Sequence, residues 1–201
     1  SLKGAAAYDS EKLDAAMANP TTGYFTANNV AYAQFDSDTK TLTFKVGAFP
    51  DGDANAWKVA DKLAYNVNCW GSVRYNVEKV VIEPSFASAR PTHCSAWFFG
   101  CDQVETITGL EYLNTSEATN LGQMFAECSS LTTLDLTTLD MSNVTDVTEM
   151  FNGCTSLTTI YCNDDWSGIS DSDQMFNNCT SLKGAAAFDS EKLDAAMANA
   201  T

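Results

Sequence analysis

Residues 131–160 read LTTLDLTTLDMSNVTDVTEMFNGCTSLTTI, and this stretch decides the fold because it holds one full period of a repeat. Its first part, LTTLDL at 131–136, places leucines inward on alternate positions, as a short strand does. Its later part, VTEMFNGC at 147–154, spaces its apolar residues by three and four, which is typical of one helical face. The stretch therefore predicts a strand and a short helix joined by turns.

The same pattern recurs with steps of 27, 26 and 25 residues between successive phenylalanines. In each copy a cysteine follows the phenylalanine by three residues, and an apolar residue follows the cysteine by three. One copy alone cannot bury its inner face, so neighbouring copies have to stack. The repeat core predicted in this way consists of Phe98, Cys101, Phe125, Cys128, Leu131, Phe151, Cys154, Leu157, Phe176, Cys179 and Leu182.

These repeats predict an α/β solenoid, a leucine-rich-repeat-like stack of about four to five coils with short parallel strands and short helices. Thr119 and Thr145 stand where the helices would need an N-cap. We expect the solenoid at 77–182, a β-rich N-terminal capping region with a hairpin at 28–76, and a C-terminal capping helix at 183–201.

A second repeat has a much longer period. Residues 1–19 recur at 181–199 with one change, from Tyr8 to Phe188, which is an offset of 180 residues. A folding constraint alone would allow more drift than this. We infer that the chain comes from a tandem array in which neighbouring copies of the same unit are partners, and that 1–27 is the end of a preceding unit.

The motif NVTDVTEMFNGCTSL at 143–157 resembles the repeat of the BspA-type leucine-rich-repeat family of bacterial surface proteins. Matches around Phe98, Phe125 and Phe176 extend the resemblance over 77–182. The resemblance implies an exported protein, extracellular or at the cell surface, that contacts protein or carbohydrate in adhesion and has no enzymatic activity of its own. The signal and the anchor would then lie outside this chain.

Composition excludes several other classes of function. The net charge of −15 over 201 residues argues against nucleic-acid binding and against an anionic membrane surface. A single histidine, His93, rules out sites that need two or three imidazoles. Because the sequence has no apolar run of about 18 residues, we expect no direct membrane insertion.

Three features could indicate a disulfide, a catalytic pair or a metal site, and each has a simpler structural interpretation. The repeat cysteines would lie within disulfide reach, but their Cβ atoms would point in parallel, which favours buried thiols. His93 and Cys94 are adjacent and would point to opposite sides of an extended chain. The segment DGDAN at 51–55 is similar to the start of a calcium loop but lacks its later glutamate, which favours a solvated turn. We therefore expect no catalytic residue, no metal and no cofactor.

The outward positions of the predicted strands form the candidate ligand face. Its partner would be a host or microbial surface protein or a glycan, and solenoids commonly bind ligands on such a face. Threonine is also favoured there by strand propensity alone. The alternative function is a structural repeat in a long surface stalk or extracellular filament. The candidate face consists of Thr106, Thr108, Thr133, Asp135, Thr159 and Tyr161.

Overall fold

A computed structural model describes residues 29–59, 70–183, 190–191 and 193–195 of the protein. The segment expected to end a preceding unit, 1–27, lies outside these residues, as does most of 183–201. The described residues contain no α-helix, and short 3₁₀ helices span Gly71–Asn76, Pro84–Ser88 and Leu110–Tyr112. The strands are β1 (Asn29–Asp36), β2 (Thr41–Ala48), β3 (Ala56–Lys58), β4 (Lys79–Ile82), β5 (Ile107–Thr108), β6 (Thr133–Asp135) and β7 (Thr159–Tyr161).

The strands form two separate sheets. The larger sheet has the order β3-β1-β2-β4-β5 and is mixed. In it β1 pairs antiparallel with β2 and β3, whereas the β2–β4 and β4–β5 pairs are parallel. The smaller sheet is the parallel pair β6–β7.

The β1–β2 hairpin is closed by the side chain of Asp36. Its carboxylate accepts hydrogen bonds from the backbone N–H groups of Asp38 at 2.8 Å and Thr39 at 3.1 Å, an Asx turn. The two strands expected in the N-terminal capping region are present, and they cover the edge of the first repeat strand. Because β2 pairs with β4, placing Leu42 beside Val80, the hairpin belongs to the same sheet as the first repeats.

The segment between successive strands is a series of tight turns, and the predicted short helices are wrong. Gln123 and Glu127 both take left-handed backbone conformations, with φ of 56° and 61°, which a right-handed helix excludes. Their N–H groups donate across to the next repeat, to the carbonyls of Thr148 at 2.8 Å and Asn152 at 2.7 Å. Since these donors bond between repeats, no intrahelical i→i−4 ladder forms.

The threonines expected at helix N-caps instead link one repeat to the next. The hydroxyl of Thr119 donates to the carbonyl of Thr92 at 3.4 Å, and that of Thr145 donates to the carbonyl of Thr119 at 3.2 Å. Their side chains therefore add to the contact between repeats.

A stack of phenylalanine rings runs through the repeats. Phe98 and Phe125 lie 5.3 Å apart between ring centroids, Phe125 and Phe151 lie 5.7 Å apart, and Phe151 and Phe176 lie 5.6 Å apart. The last two pairs are nearly parallel, at 5° and 7°. All the residues of the predicted repeat core are buried except Leu182, which is partly buried against the same core.

The predicted fold class, an α/β solenoid with short helices, is therefore wrong, and the helical C-terminal cap expected at 183–201 falls mostly outside the described residues. The described residues form a mixed five-stranded sheet and a small parallel pair, with tight turns where helices were expected. The described part of 183–201 contains no α-helix. Turns with inter-repeat hydrogen bonds and left-handed residues bury apolar side chains at the same sequence spacing as one face of a helix would.

Candidate functional site

The two sheets are separated by a break between β5 and β6. On either side of the break, hydrogen bonds join the backbones of successive repeats. The N–H of Cys94 donates to the carbonyl of Asn120 at 2.9 Å, and the N–H of Thr158 donates to the carbonyl of Thr132 at 2.9 Å. In the described part of the chain, no backbone hydrogen bond joins residues 105–109 to residues 131–136. The strand ladder is therefore open at this junction.

Gly109 lies at the end of β5, directly beside the break. It is the extra residue that makes the step from Phe98 to Phe125 longer than the next one. Its φ is +82°, and a Cβ at this position would lie 2.0 Å from the carbonyl oxygen of Ile82. The chain can therefore press against the end of β4 and turn at once into the 3₁₀ helix Leu110–Tyr112, which leaves β5 only two residues long.

The break opens as a cleft of about 110 Å³, which we call the β5–β6 cleft. Its apolar lining residues are Ile107, Leu110 and Leu134. Two carboxylates, Glu111 and Asp135, supply negative charge. The full lining is Ile107, Gly109, Leu110, Glu111, Thr133, Leu134, Asp135 and Thr138.

Local hydrogen bonds keep the carboxylate of Asp135 ionised. It accepts from the hydroxyl of Thr137 at 2.6 Å and from the backbone N–H of the same residue at 3.1 Å. These two bonds, the hydroxyl bond first, lower the pKa of Asp135 below its usual value. One anionic group of the cleft is thus fixed in both position and charge.

The predicted ligand face is divided by the cleft. Thr133 and Asp135 line it, and β7 places Thr159 and Tyr161 beside them in register. Across the break, the hydroxyl of Thr108 donates to the carbonyl of Val80 on β4 at 3.1 Å and is not free for a ligand. Thr106 is exposed but does not line the cleft.

Sequence reasoning missed most of the cleft residues. Leu110 takes the phase of Leu136 and Glu111 that of Thr137 in the next copy, so the repeat pattern predicts a core leucine and a turn residue here and not a binding site. The one signal that points to them is the extra residue itself, since an inserted glycine in a strand marks a bulge or a close approach. The missed lining residues are Ile107, Gly109, Leu110, Glu111, Leu134 and Thr138.

The repeat cysteines are hydrogen-bond donors inside the core. The thiols of Cys128, Cys154 and Cys179 each donate at 3.0 Å to the carbonyl oxygen of a phenylalanine one repeat earlier. Burial raises the pKa of all four repeat thiols, and that of Cys101 to about 12. These thiols are therefore held neutral, whereas a nucleophile or metal ligand must be a thiolate.

Negative charge is concentrated on the repeats. Between Pro91 and Leu182 the sequence has thirteen Asp and Glu residues and neither Lys nor Arg. All the Lys and Arg residues lie before or after this stretch. The repeats therefore carry a negative potential that attracts cationic groups.

No group of three or more His, Cys, Asp or Glu side chains in the described ranges is arranged to hold a metal ion. In the segment considered for calcium, Asp53 accepts from the side-chain amide of Gln34 at 2.7 Å and from the N–H of Asn55 at 2.8 Å. Its carboxylate thus closes a turn. Among the residues that the structure describes, no helix is long and apolar enough to cross a membrane.

Comparison with known proteins links the chain to a family. A family model described as "Mycoplasma protein of unknown function, DUF285" matches residues 85–190, which include the cleft and the stacked repeats. No curated protein and no solved structure matches the chain.

Proposed function

The chain belongs to the Mycoplasma protein family of unknown function DUF285, and we propose that it is a non-catalytic repeat module that binds a partner at a cell surface. The partner is a host or microbial surface protein or a glycan, and the module works within a tandem array of similar units.

The β5–β6 cleft is the observation that carries this proposal. Ligand sites are concave, largely apolar and equipped with a few polar groups that set orientation. The cleft has this composition, with Leu110 and Leu134 for apolar contact and Glu111 and Asp135 for polar contact. It also interrupts an otherwise bonded ladder, so a ligand can enter without breaking a hydrogen bond between β5 and β6.

The state of the thiols supports a module without catalysis. Cys128 and Cys154 have raised pKa values, and their S–H groups donate to backbone carbonyls. Deprotonating either thiol would remove that hydrogen bond and leave a charge in the core. Their role is therefore to hold neighbouring repeats together.

The tandem array and the surface location rest on the sequence. The near-identity of 1–19 and 181–199 supports repeated units. The similarity of 143–157 to BspA-type surface repeats supports an extracellular or cell-surface location in a bacterium. Negative charge that accumulates with copy number would keep such an array soluble.

A structural role in a long stalk or filament is the second candidate. It is favoured by the one-residue difference between 1–19 and 181–199, because uniform units are what an assembly of identical parts requires. In that case the ends of each unit, and not the cleft, would carry the function.

Binding to arrays of extracellular-matrix proteins and of mammalian and bacterial glycans tests the proposal. We expect saturable binding by the chain, weakened about tenfold or more by Thr133→Trp, which fills the cleft. Thr155→Trp is the matched control, since Thr155 is also exposed and lies away from the cleft. An absence of any array ligand, together with end-to-end association of chains that carry two units, would favour the stalk.

A further inference from the structure

We infer that the β5–β6 cleft receives a lysine or arginine side chain from a basic segment of a partner protein. This inference rests on the proposed function and narrows its partner from any surface protein or glycan to a protein with an exposed cationic side chain.

The size of the cleft suits one side chain. At about 110 Å³ it is well below the roughly 300–1,000 Å³ typical of sites that enclose a whole small molecule. A ligand would therefore insert a single group and leave its remainder on the surface.

The lining matches the two parts of a long cationic side chain. Ile107, Leu110 and Leu134 offer apolar contact for the methylene stem, and Glu111 and Asp135 offer carboxylates for the charged head. Leu110 and Leu134 are buried at 6% and 2% exposure in the core cluster, so the apolar side of the cleft is held in place by the core. Asp135 is held in place by its two hydrogen bonds from Thr137.

The repeats from Pro91 to Leu182 contain no Lys or Arg of their own, and they carry thirteen carboxylates. In a protein that neutralised these charges internally, basic residues would be interspersed among the acidic ones. The negative charge of this stretch is not neutralised from within it, and it would speed the approach of a basic segment.

The strand edges at the cleft provide a second contact for a peptide. In the described residues, the sides of β5 and β6 that face each other pair with no strand. Unpaired N–H and C=O groups of this kind offer hydrogen bonds to the main chain on either side of the inserted side chain, which remains at the surface. The lining contains no aromatic ring for a sugar to stack on.

The test is a ¹H–¹⁵N NMR titration of the whole chain at low ionic strength. The probe is the peptide acetyl-Ser-Thr-Lys-Thr-Ser-amide, and the matched control peptide carries Nε-acetyl-lysine, which keeps the stem and removes the charge. We expect the lysine peptide to shift the resonances of residues 107–111 and 133–138, and the acetylated peptide to bind at least about tenfold less tightly.

Matched variants distinguish binding by the cleft carboxylates from attraction by the overall negative charge of the repeats. Glu111→Gln with Asp135→Asn should weaken lysine-peptide binding about tenfold, because both cleft charges are lost while the new amide oxygen at position 135 can still accept from Thr137. Asp102→Asn with Glu105→Gln removes the same charge from exposed positions outside the cleft and should weaken binding less than about twofold.

Three results would overturn the inference. One is equal binding of the two peptides, and another is an equal loss of affinity in both double variants. The third is no binding of the lysine peptide while the chain binds a glycan or a protein on the arrays through the cleft. That third result leaves the proposed function standing, whereas array binding that Thr133→Trp does not affect removes the proposed site.

Discussion

Gly109 lies against Ile82 so closely that a Cβ on the glycine would stand 2.0 Å from the carbonyl oxygen of the isoleucine. This contact joins the extra residue of one repeat to the end of β4. Beside it β5 ends after two residues, and the ladder does not continue from β5 to β6. The cleft is thus lined at this point by a position that only a residue without a side chain fits.

Replacing this glycine should destabilise the fold. Gly109→Ala meets a backbone atom and is also strained by φ of +82°, so we expect the free energy of unfolding to fall by about 2 kcal/mol or more. Urea unfolding followed by circular dichroism measures the change. Gly168→Ala is the control, since a Cβ at 168 meets nothing within 4 Å. Equal stability of the two variants would contradict the role of Gly109.

The ring stack should be the main support of the repeats. Phe125 is fully buried between Phe98 and Phe151, and Phe125→Ala should cost about 3–5 kcal/mol through lost burial and the cavity that remains. Tyr161→Ala, at a residue 55% exposed, should cost much less. The measurement is the free energy of unfolding in urea. A loss below about 1 kcal/mol for Phe125→Ala would show that the rings contribute little.

Thiol labelling should distinguish buried from accessible cysteines. At pH 8 the thiols of Cys101, Cys128 and Cys154 should not react with a disulfide reagent, because they are buried and their raised pKa values keep them protonated. Cys162 is only partly buried and should react sooner. All should react in urea. Mass-spectrometric mapping of labelled peptides gives the order, and prompt labelling of Cys128 in the native chain would refute the buried donor ladder.

Acid should weaken the Asp-closed turns. The hydroxyl and N–H of Ser142 bond to Asp140 and lower its pKa below the usual 3.8. Since the folded value is the lower one, this stabilisation is fully present above the unfolded pKa and is lost as the pH falls through the folded pKa. The chain should be more stable than Asp140→Ala at pH 7, and the difference should shrink towards a pH of about 2.

The control for this pH effect is Glu117→Gln, which removes one charge from a surface position without a turn hydrogen bond of this kind. Its stability relative to the chain should reflect only charge repulsion among the acidic repeats. Urea midpoints at several pH values provide both comparisons. If the difference between the chain and Asp140→Ala widened on acidification, the assigned direction of the pKa shift would be wrong.

The sequence predicted the hairpin strands because alternating apolar residues flank a polar loop, and the loop chemistry of Asp36 is local. It failed on the return segments for a definite reason. Inward residues such as Leu121 and Phe125 are spaced alike in a helix and in these turns. The two alternatives differ in the backbone at Gln123 and Glu127, where a non-glycine residue takes φ above zero without a sequence signal.

Part of the acidic composition is structural. Asp140 and Asp165 each accept from the residue two positions later, Ser142 and Ser167, in the same kind of turn. The recurring Asp-x-Ser and Asp-x-Thr pattern is visible in the sequence, so this use of aspartate was open to prediction.

The candidate site was half predictable. Thr133 and Asp135 were placed on the ligand face from strand alternation, and both line the cleft. The opposite side of the cleft, with Leu110 and Glu111, depends on where the chain goes after Gly109. That path is set by the long-range contact with Ile82, which no local pattern contains.

The most direct test of the account is the affinity of the chain and of Thr133→Trp for the same array ligand, with both proteins shown to unfold at the same urea midpoint. If the β5–β6 cleft is the binding site, the indole fills it and affinity falls about tenfold or more, while Thr155→Trp binds like the original chain. Unchanged affinity of Thr133→Trp would contradict the account and place ligand binding elsewhere on the protein.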